Sequence, residues 1–149
     1  MLPYKKTKDA TGQHEGDTMI EILPAPEYVA AFRLSGTLRG EDYDVIIPAI
    51  ETKLAHNEQI GVLADLTQFE HMTAKALQRD LAYGMSKLGE YHRFKRAAVI
   101  GDKRWIEMTT KLADKLFPQI EARVFHAGEL EEAMRWVAGF RDDLISEGL

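Results

Sequence analysis

The chain has no cysteine. Disulfides and thiolate metal sites are therefore excluded, and a reducing cytosol is a compatible setting. Long apolar runs are missing too. None approaches the roughly 18–20 residues that a membrane-spanning helix needs. The first residues, Met1-Leu2-Pro3-Tyr4-Lys5-Lys6, turn polar at once and contain no apolar stretch of the secretory kind. The expectation is a cytoplasmic protein with no membrane insertion. Positive charge is not in excess: 19 Lys and Arg stand against 24 Asp and Glu, a formal net charge of -5. That disfavours nucleic acid as the main partner, because phosphate binding needs clustered cations. Catalytic and cofactor signatures are absent as well. There is no Gly-x-Gly-x-x-Gly or Walker loop, and no nucleophile elbow surrounds Ser35, Ser86 or Ser146. The histidines show no His-Glu-x-x-His or similar ligand spacing. The residues thus imply no cofactor, no metal site, no catalytic group and a non-enzymatic role.

What is present is an ordinary globular composition. The chain has 149 residues, 45% hydrophobic and 29% charged, which suits one domain with a real core. Residues 1–18 lack periodicity and have little to bury, so they read as a flexible N-terminal tail. Met19 opens the first apolar run and is the candidate start of a single domain over 19–149.

Within that domain, Met19 to Leu23 alternates as a strand does. Pro24-Ala25-Pro26-Glu27 is a turn, and Tyr28 to Leu34 is a second strand; the short link implies an antiparallel pair. Tyr43, Ile46, Ile47, Ile50 and Leu54 recur at helical spacing, with Pro48 expected to kink that helix or delay its start. Ile60 to Leu66 is an apolar run of the buried parallel type, followed by a polar loop over Thr67 to Met72. Thr73 is placed to cap a helix carrying Leu77, Leu81, Met85 and Leu88. Ala97 to Ile100 is a third buried-type strand. A helix with Trp105, Met108, Leu112 and Leu116 on one stripe ends at Pro118. Ile120 to Phe125 is a last strand, and Glu129 to Phe140 a last helix. The order β-β-α-β-α-β-α-β-α predicts an α/β domain: a five-stranded, mostly parallel sheet, its first strand antiparallel, with four helices.

Three stretches of the chain resemble the SpoIIAA-like family, a bacterial branch of the STAS domains whose fold is similar to CRAL-TRIO lipid-binding domains. They are Val62-Leu63-Ala64-Asp65-Leu66-Thr67-Gln68-Phe69, then Phe94 through Trp105, then Ala122-Arg123-Val124-Phe125 with Glu129 through Val137. The resemblance covers about residues 19–140. It implies strands in chain order with helices mainly on one face, and a regulatory or protein-binding role like that of anti-sigma-factor antagonists. One departure limits the transfer. Those antagonists carry a phosphorylated serine after the strand that here ends at Asp65, and the matching stretch reads Met72-Thr73-Ala74-Lys75. The usual phosphoacceptor serine is missing, and Thr73 is the nearby hydroxyl.

Candidate binding residues follow from these placements. Asp65 at a strand end either orients a ligand or accepts backbone N–H bonds. Thr73 is a helix cap or a phosphoacceptor. Phe69, Met72, Met85 and Trp105 either pack the core or line an adaptable apolar cavity, with His92 in a neighbouring loop. Two functions compete: an interaction module for a protein partner, and a carrier or sensor of a small apolar or lipid-like ligand. An uncovered sheet face or edge would favour a homodimer.

Overall fold

Alternation in the strands and helical spacing between them produce one layered sheet. The computed structural model describes residues 4–5, 19–102 and 120–142. Its strands are β1 (Tyr4–Lys5), β2 (Met19–Ile22), β3 (Val29–Leu38), β4 (Ile60–Met72), β5 (Phe94–Ile100) and β6 (Glu121–Phe125). Its α-helices are α1 (Tyr43–His56), α2 (Ala74–Ser86) and α3 (Leu130–Ala138). The strands lie side by side in chain order. β2 pairs antiparallel with β3, and β3, β4, β5 and β6 are mutually parallel. The five expected strands are all present. The two residues of β1 add a short edge to β2 from within the stretch read as a tail, Tyr4 opposite Ile20 and Lys5 opposite Met19. The helix expected from Trp105 to Leu116, third of the four in chain order, lies outside the described residues.

The period of two in the strands sorts the core into two layers. Ala30, Phe32 and Leu34 of β3 point to one face and pack with Tyr43, Ile46, Ile50 and Leu54 of α1 and with Ala76 of α2. Val29 and Ala31 point to the other, where Leu63, Ala98, Ile100 and Phe125 meet Ala133 and Val137 of α3. Ile20, Ile60 and Leu63 are fully buried. Each such side chain contributes about 1.5–3 kcal/mol relative to exposure.

A short 3-10 turn, Gly40–Asp42, leads into α1. There the buried Asp42 carboxylate accepts the Arg39 N–H at 2.7 Å. α1 starts at Tyr43 and runs without a break through Pro48, so the expected delay in its start does not occur. Pro48 lies early in the helix, and the missing N–H leaves only the Asp44 carbonyl without its helical donor. At the other end, Arg93 donates to the carbonyls of Leu54, Asn57 and Glu58 at 2.6, 3.0 and 2.9 Å. The bonds to Leu54 and Asn57 satisfy acceptors at the helix end that a helix cannot pair internally.

The loop expected over Thr67 to Met72 is instead the second half of β4. It pairs with Ser35 to Leu38 beyond the last residue that β4 shares with β5. Two register shifts permit this, one between Arg33 and Ser35 and one between Gly36 and Thr37. At each, β4 carries an extra residue, as in a bulge. Gly36 takes φ 78°, a left-handed conformation that side-chain-bearing residues rarely adopt. The resulting two-stranded ribbon overhangs the α1 and α2 side of the sheet.

Candidate functional site

The overhang closes one end of a cleft between the sheet, α1 and α2. Its volume is about 480 Å³, within the range of small-molecule sites. The floor is Phe32 and Leu34 of β3, Val62, Ala64 and Leu66 of β4, and Val99 of β5. One wall is Tyr43, Ile46, Ile47 and Ile50 of α1, and the other is Leu77, Asp80 and Tyr83 of α2. Leu38, Phe69 and Met72 of the ribbon complete it. The bulges matter here. They turn Leu66, Phe69 and Met72, spaced three apart, toward one cleft, although strict alternation would split them between faces.

α2 covers this cleft loosely. Ala76 is buried, but Leu77 and Leu81 are 49% and 51% exposed, and Met72 beside them is 37% exposed. The helix is held at its edges by polar links to α1 and the turn before it. Tyr43 Oη donates to Asp80 Oδ1 at 2.9 Å, and Tyr83 Oη donates to Glu51 Oε2 at 2.6 Å. Arg79 pairs with Asp44 at 3.1 Å and donates to the Gly40 carbonyl at 3.0 Å. Lys87 pairs with Glu51 at 2.7 Å. Thr73 Oγ1 accepts the Ala76 N–H at 3.1 Å, which makes Thr73 the N-cap of α2.

These contacts set the protonation states around the cleft. Burial, then the charge and hydrogen bond of Asp80, push the Tyr43 phenol above its ordinary range. Burial, then the bond to Glu51, do the same to Tyr83. Both hydroxyls keep their protons. Glu51 is held below the usual carboxylate range by hydrogen bonds from Lys87 and Tyr83. Asp80 is exposed as a residue but lies on the largely apolar lining of the cleft, which partly desolvates its carboxyl. That desolvation pushes its pKa up, and the bond from Tyr43 offsets only part of the rise.

Of the residues singled out from sequence, Phe69 and Met72 line the cleft and Thr73 caps the helix beside it. Asp65 does not reach it. Its Oδ1 accepts the Thr67 N–H at 3.0 Å and the Thr67 hydroxyl at 2.7 Å, and its Oδ2 accepts Arg33 Nε at 3.0 Å. Arg33 also donates to Glu21 at 3.1 Å. Burial is the largest single influence on Asp65 and pushes its pKa up. The Thr67 and Arg33 bonds together outweigh it and hold the carboxyl below its ordinary range. His92 is exposed on a 3-10 turn, Leu88–Arg93, away from the cleft lining. The Met85 side chain and all of Trp105 lie outside the described residues.

Sequence reading missed Tyr43, Asp80 and Tyr83. The available signal was polar: two tyrosines on otherwise aliphatic stripes, and an aspartate between Leu77 and Leu81. Among the described residues, no group of three or more potential metal ligands forms, and no helix is long and apolar enough to cross a membrane.

The fold accords with the family that the sequence matches. A family model described as SpoIIAA-like matches residues 29–138. The chain belongs to the SpoIIAA-like family. This SpoIIAA-like chain is similar to an uncharacterised DUF3478-family protein of SpoIIAA-like fold from Shewanella loihica PV-4. The two share 29% identity over 80% of this chain and 93% of the other, with a TM-score of 0.64. An anti-sigma factor antagonist from Mycobacterium paratuberculosis matches at 20% identity over 81% and 94% of the two chains, with a TM-score of 0.48. No curated protein matches the chain.

Proposed function

We propose that this SpoIIAA-like domain is a non-enzymatic carrier or sensor that holds a small, largely apolar ligand in the cleft between α1, α2 and the sheet. The observation that carries the reading is the 480 Å³ cleft with its nearly continuous apolar lining under a helix that packs loosely. A core built for stability alone would fill such a volume, since unfilled space forfeits packing energy. Leu77 and Leu81 belong to a cover that moves at low energetic expense. The cytoplasm, suggested by composition, is where it would act. A second reading draws on Met72 and Leu77, exposed on the cleft lining, and Leu81, exposed one turn further along α2. They suit a protein partner or a second copy, consistent with a regulatory role and with the missing phosphoacceptor serine. Control would then come from the cleft and not from phosphorylation.

Native mass spectrometry of untagged protein from its own host tests the first reading. The expected result is a reproducible added mass that disappears on denaturation. Ala64→Phe, which places a ring on the cleft floor, should abolish it. A ligand-free mass, or an adduct that Ala64→Phe leaves unchanged, would refute the carrier reading. A co-purifying protein in place of a small molecule would favour the second.

A further inference from the structure

The polar groups of the cleft are few, and each has a definable hydrogen-bonding role. Tyr43, Asp80 and Tyr83 are the polar side chains of its lining. Tyr43 has one hydroxyl proton and gives it to Asp80 Oδ1. Tyr83 has one and gives it to Glu51. What these groups can still offer is acceptors: the second Asp80 oxygen and the phenol oxygens. The floor residues Phe32, Val62, Ala64 and Val99 sit in register in the parallel ladder, which engages their backbone groups. Among the described residues no Lys, Arg or His lines the cleft. The nearby cations are committed elsewhere, Arg79 to Asp44 and the Gly40 carbonyl, and Lys87 to Glu51 and Glu90.

A ligand head buried against this wall must satisfy its own polar atoms there or lose affinity. A carboxylate or phosphate head would meet acceptors only, beside a like charge. An alcohol gives one proton to Asp80. An ammonium gives a proton and a charge, a stronger charge-assisted bond. Resting on the ligand-binding reading above, we propose that the cleft selects amphipathic molecules with a hydrogen-bond-donating head, amines above alcohols, that the head docks on Asp80, and that fatty-acid-like anions are rejected. Asp80 is the specificity-determining residue and the apolar floor supplies the rest of the affinity.

Displacement of a neutral fluorescent apolar dye from the full chain tests this with decylamine, decanol and decanoate, each kept below micelle formation at neutral pH. Decylamine should compete best and decanoate worst, with about tenfold or more between them. Asp80→Asn keeps an acceptor for Tyr43 but removes the charge. It should weaken decylamine about tenfold, leave decanol within about threefold, and narrow or erase the discrimination against decanoate. A thermal melt confirms that the variant is folded. Decanoate equal to or tighter than decylamine, or an amine preference untouched by Asp80→Asn, overturns the head-group assignment while leaving the cleft as the binding site. Failure of the dye to bind, or of every competitor to displace it, overturns the ligand-binding reading and this inference with it.

Discussion

Gly61 offers a sharp test of how the opposite side of the sheet is held. It lies in β4 between Val29 of β3 and Arg96 of β5. A Cβ at this position would come within 2.8 Å of the Val137 carbonyl oxygen and 2.9 Å of Val137 Cγ2. Both distances are shorter than side-chain carbons tolerate, and β4 cannot retreat without breaking a ladder on each side. The strain of Gly61→Ala therefore falls on α3, whose Ala133 and Val137 are fully buried. Overpacking of this kind costs about 1–3 kcal/mol. The reduced freedom of the unfolded chain returns about 0.4–1 kcal/mol. A net loss of about 1–2 kcal/mol is expected, or roughly 5 °C in the melting temperature of a domain this size. Urea titration monitored by circular dichroism measures it. The two contacts separate in a double-mutant cycle. Val137→Ala alone should cost about 2 kcal/mol by removing two buried methyl groups and leaving a small cavity. Combined with Gly61→Ala it relieves the Cγ2 contact but not the carbonyl. The pair should thus be less destabilised than the sum by about 0.5–1 kcal/mol. A Gly61→Ala protein as stable as the parent, or strictly additive effects, would refute the close approach of β4 and α3.

Three further outcomes follow from the contacts described. Asp65→Asn puts an amide donor against Arg33 Nε and should destabilise by about 1.5–3 kcal/mol at pH 7. The Asp65 pKa is depressed on folding, so its contribution is present above the unfolded value near 3.8 and lost as pH falls through the folded one. The gap between parent and variant should therefore close below about pH 4 in paired urea titrations, and a gap that persists there contradicts the ion-pair account. Thr73→Ala should lose about 1 kcal/mol by uncapping α2 while Thr73→Ser restores it, as read by thermal melts. Leu77→Ala and Leu81→Ala should each cost no more than about 1 kcal/mol because both side chains are half exposed, but Leu77→Ala should weaken dye binding in the cleft.

Much of the architecture was legible because period and run length are local properties. The unbroken apolar run Ile60 to Leu66 and the Ala97 to Ile100 run identified parallel strands buried on both faces, and the short Pro24 to Glu27 link fixed the antiparallel hairpin. The second half of β4 was not legible for a physical reason. Its two bulges set Leu66, Phe69 and Met72 three residues apart, a spacing that matches neither strand alternation nor an extended helix, and the polar residues between them read as a loop. The stripe of α2 misled in the other direction. Leu77 and Leu81 have the spacing of core residues, yet the cleft beneath the helix leaves them half exposed. The rim of the site depends on pairings more than thirty residues apart in sequence, Tyr43 with Asp80 and Glu51 with Tyr83. No local pattern encodes them.

Two carboxylates differ in what folding does to their charge. Asp65, prominent in sequence at the end of an apolar strand, has three donors on its two oxygens, and folding lowers its pKa. Folding uses that charge. Asp80, inconspicuous in sequence, has Tyr43 as its donor and lies exposed on the cleft lining, and partial desolvation there raises its pKa. Linkage then fixes opposite signs. A group whose pKa rises on folding favours the folded state fully below the unfolded value, near 3.8, and that contribution is lost as pH climbs through the folded value. At neutral pH ionised Asp80 is therefore expected to disfavour the folded state, and solvent around this exposed residue keeps the effect small. Asp80→Asn keeps the acceptor for Tyr43 and removes the charge, so it should melt at a higher temperature than the parent at pH 7. The advantage should vanish below about pH 4, where Asp80 of the parent is protonated in both states. An Asp80→Asn protein that melts lower than the parent at neutral pH would make Asp80 a structural anchor between α1 and α2.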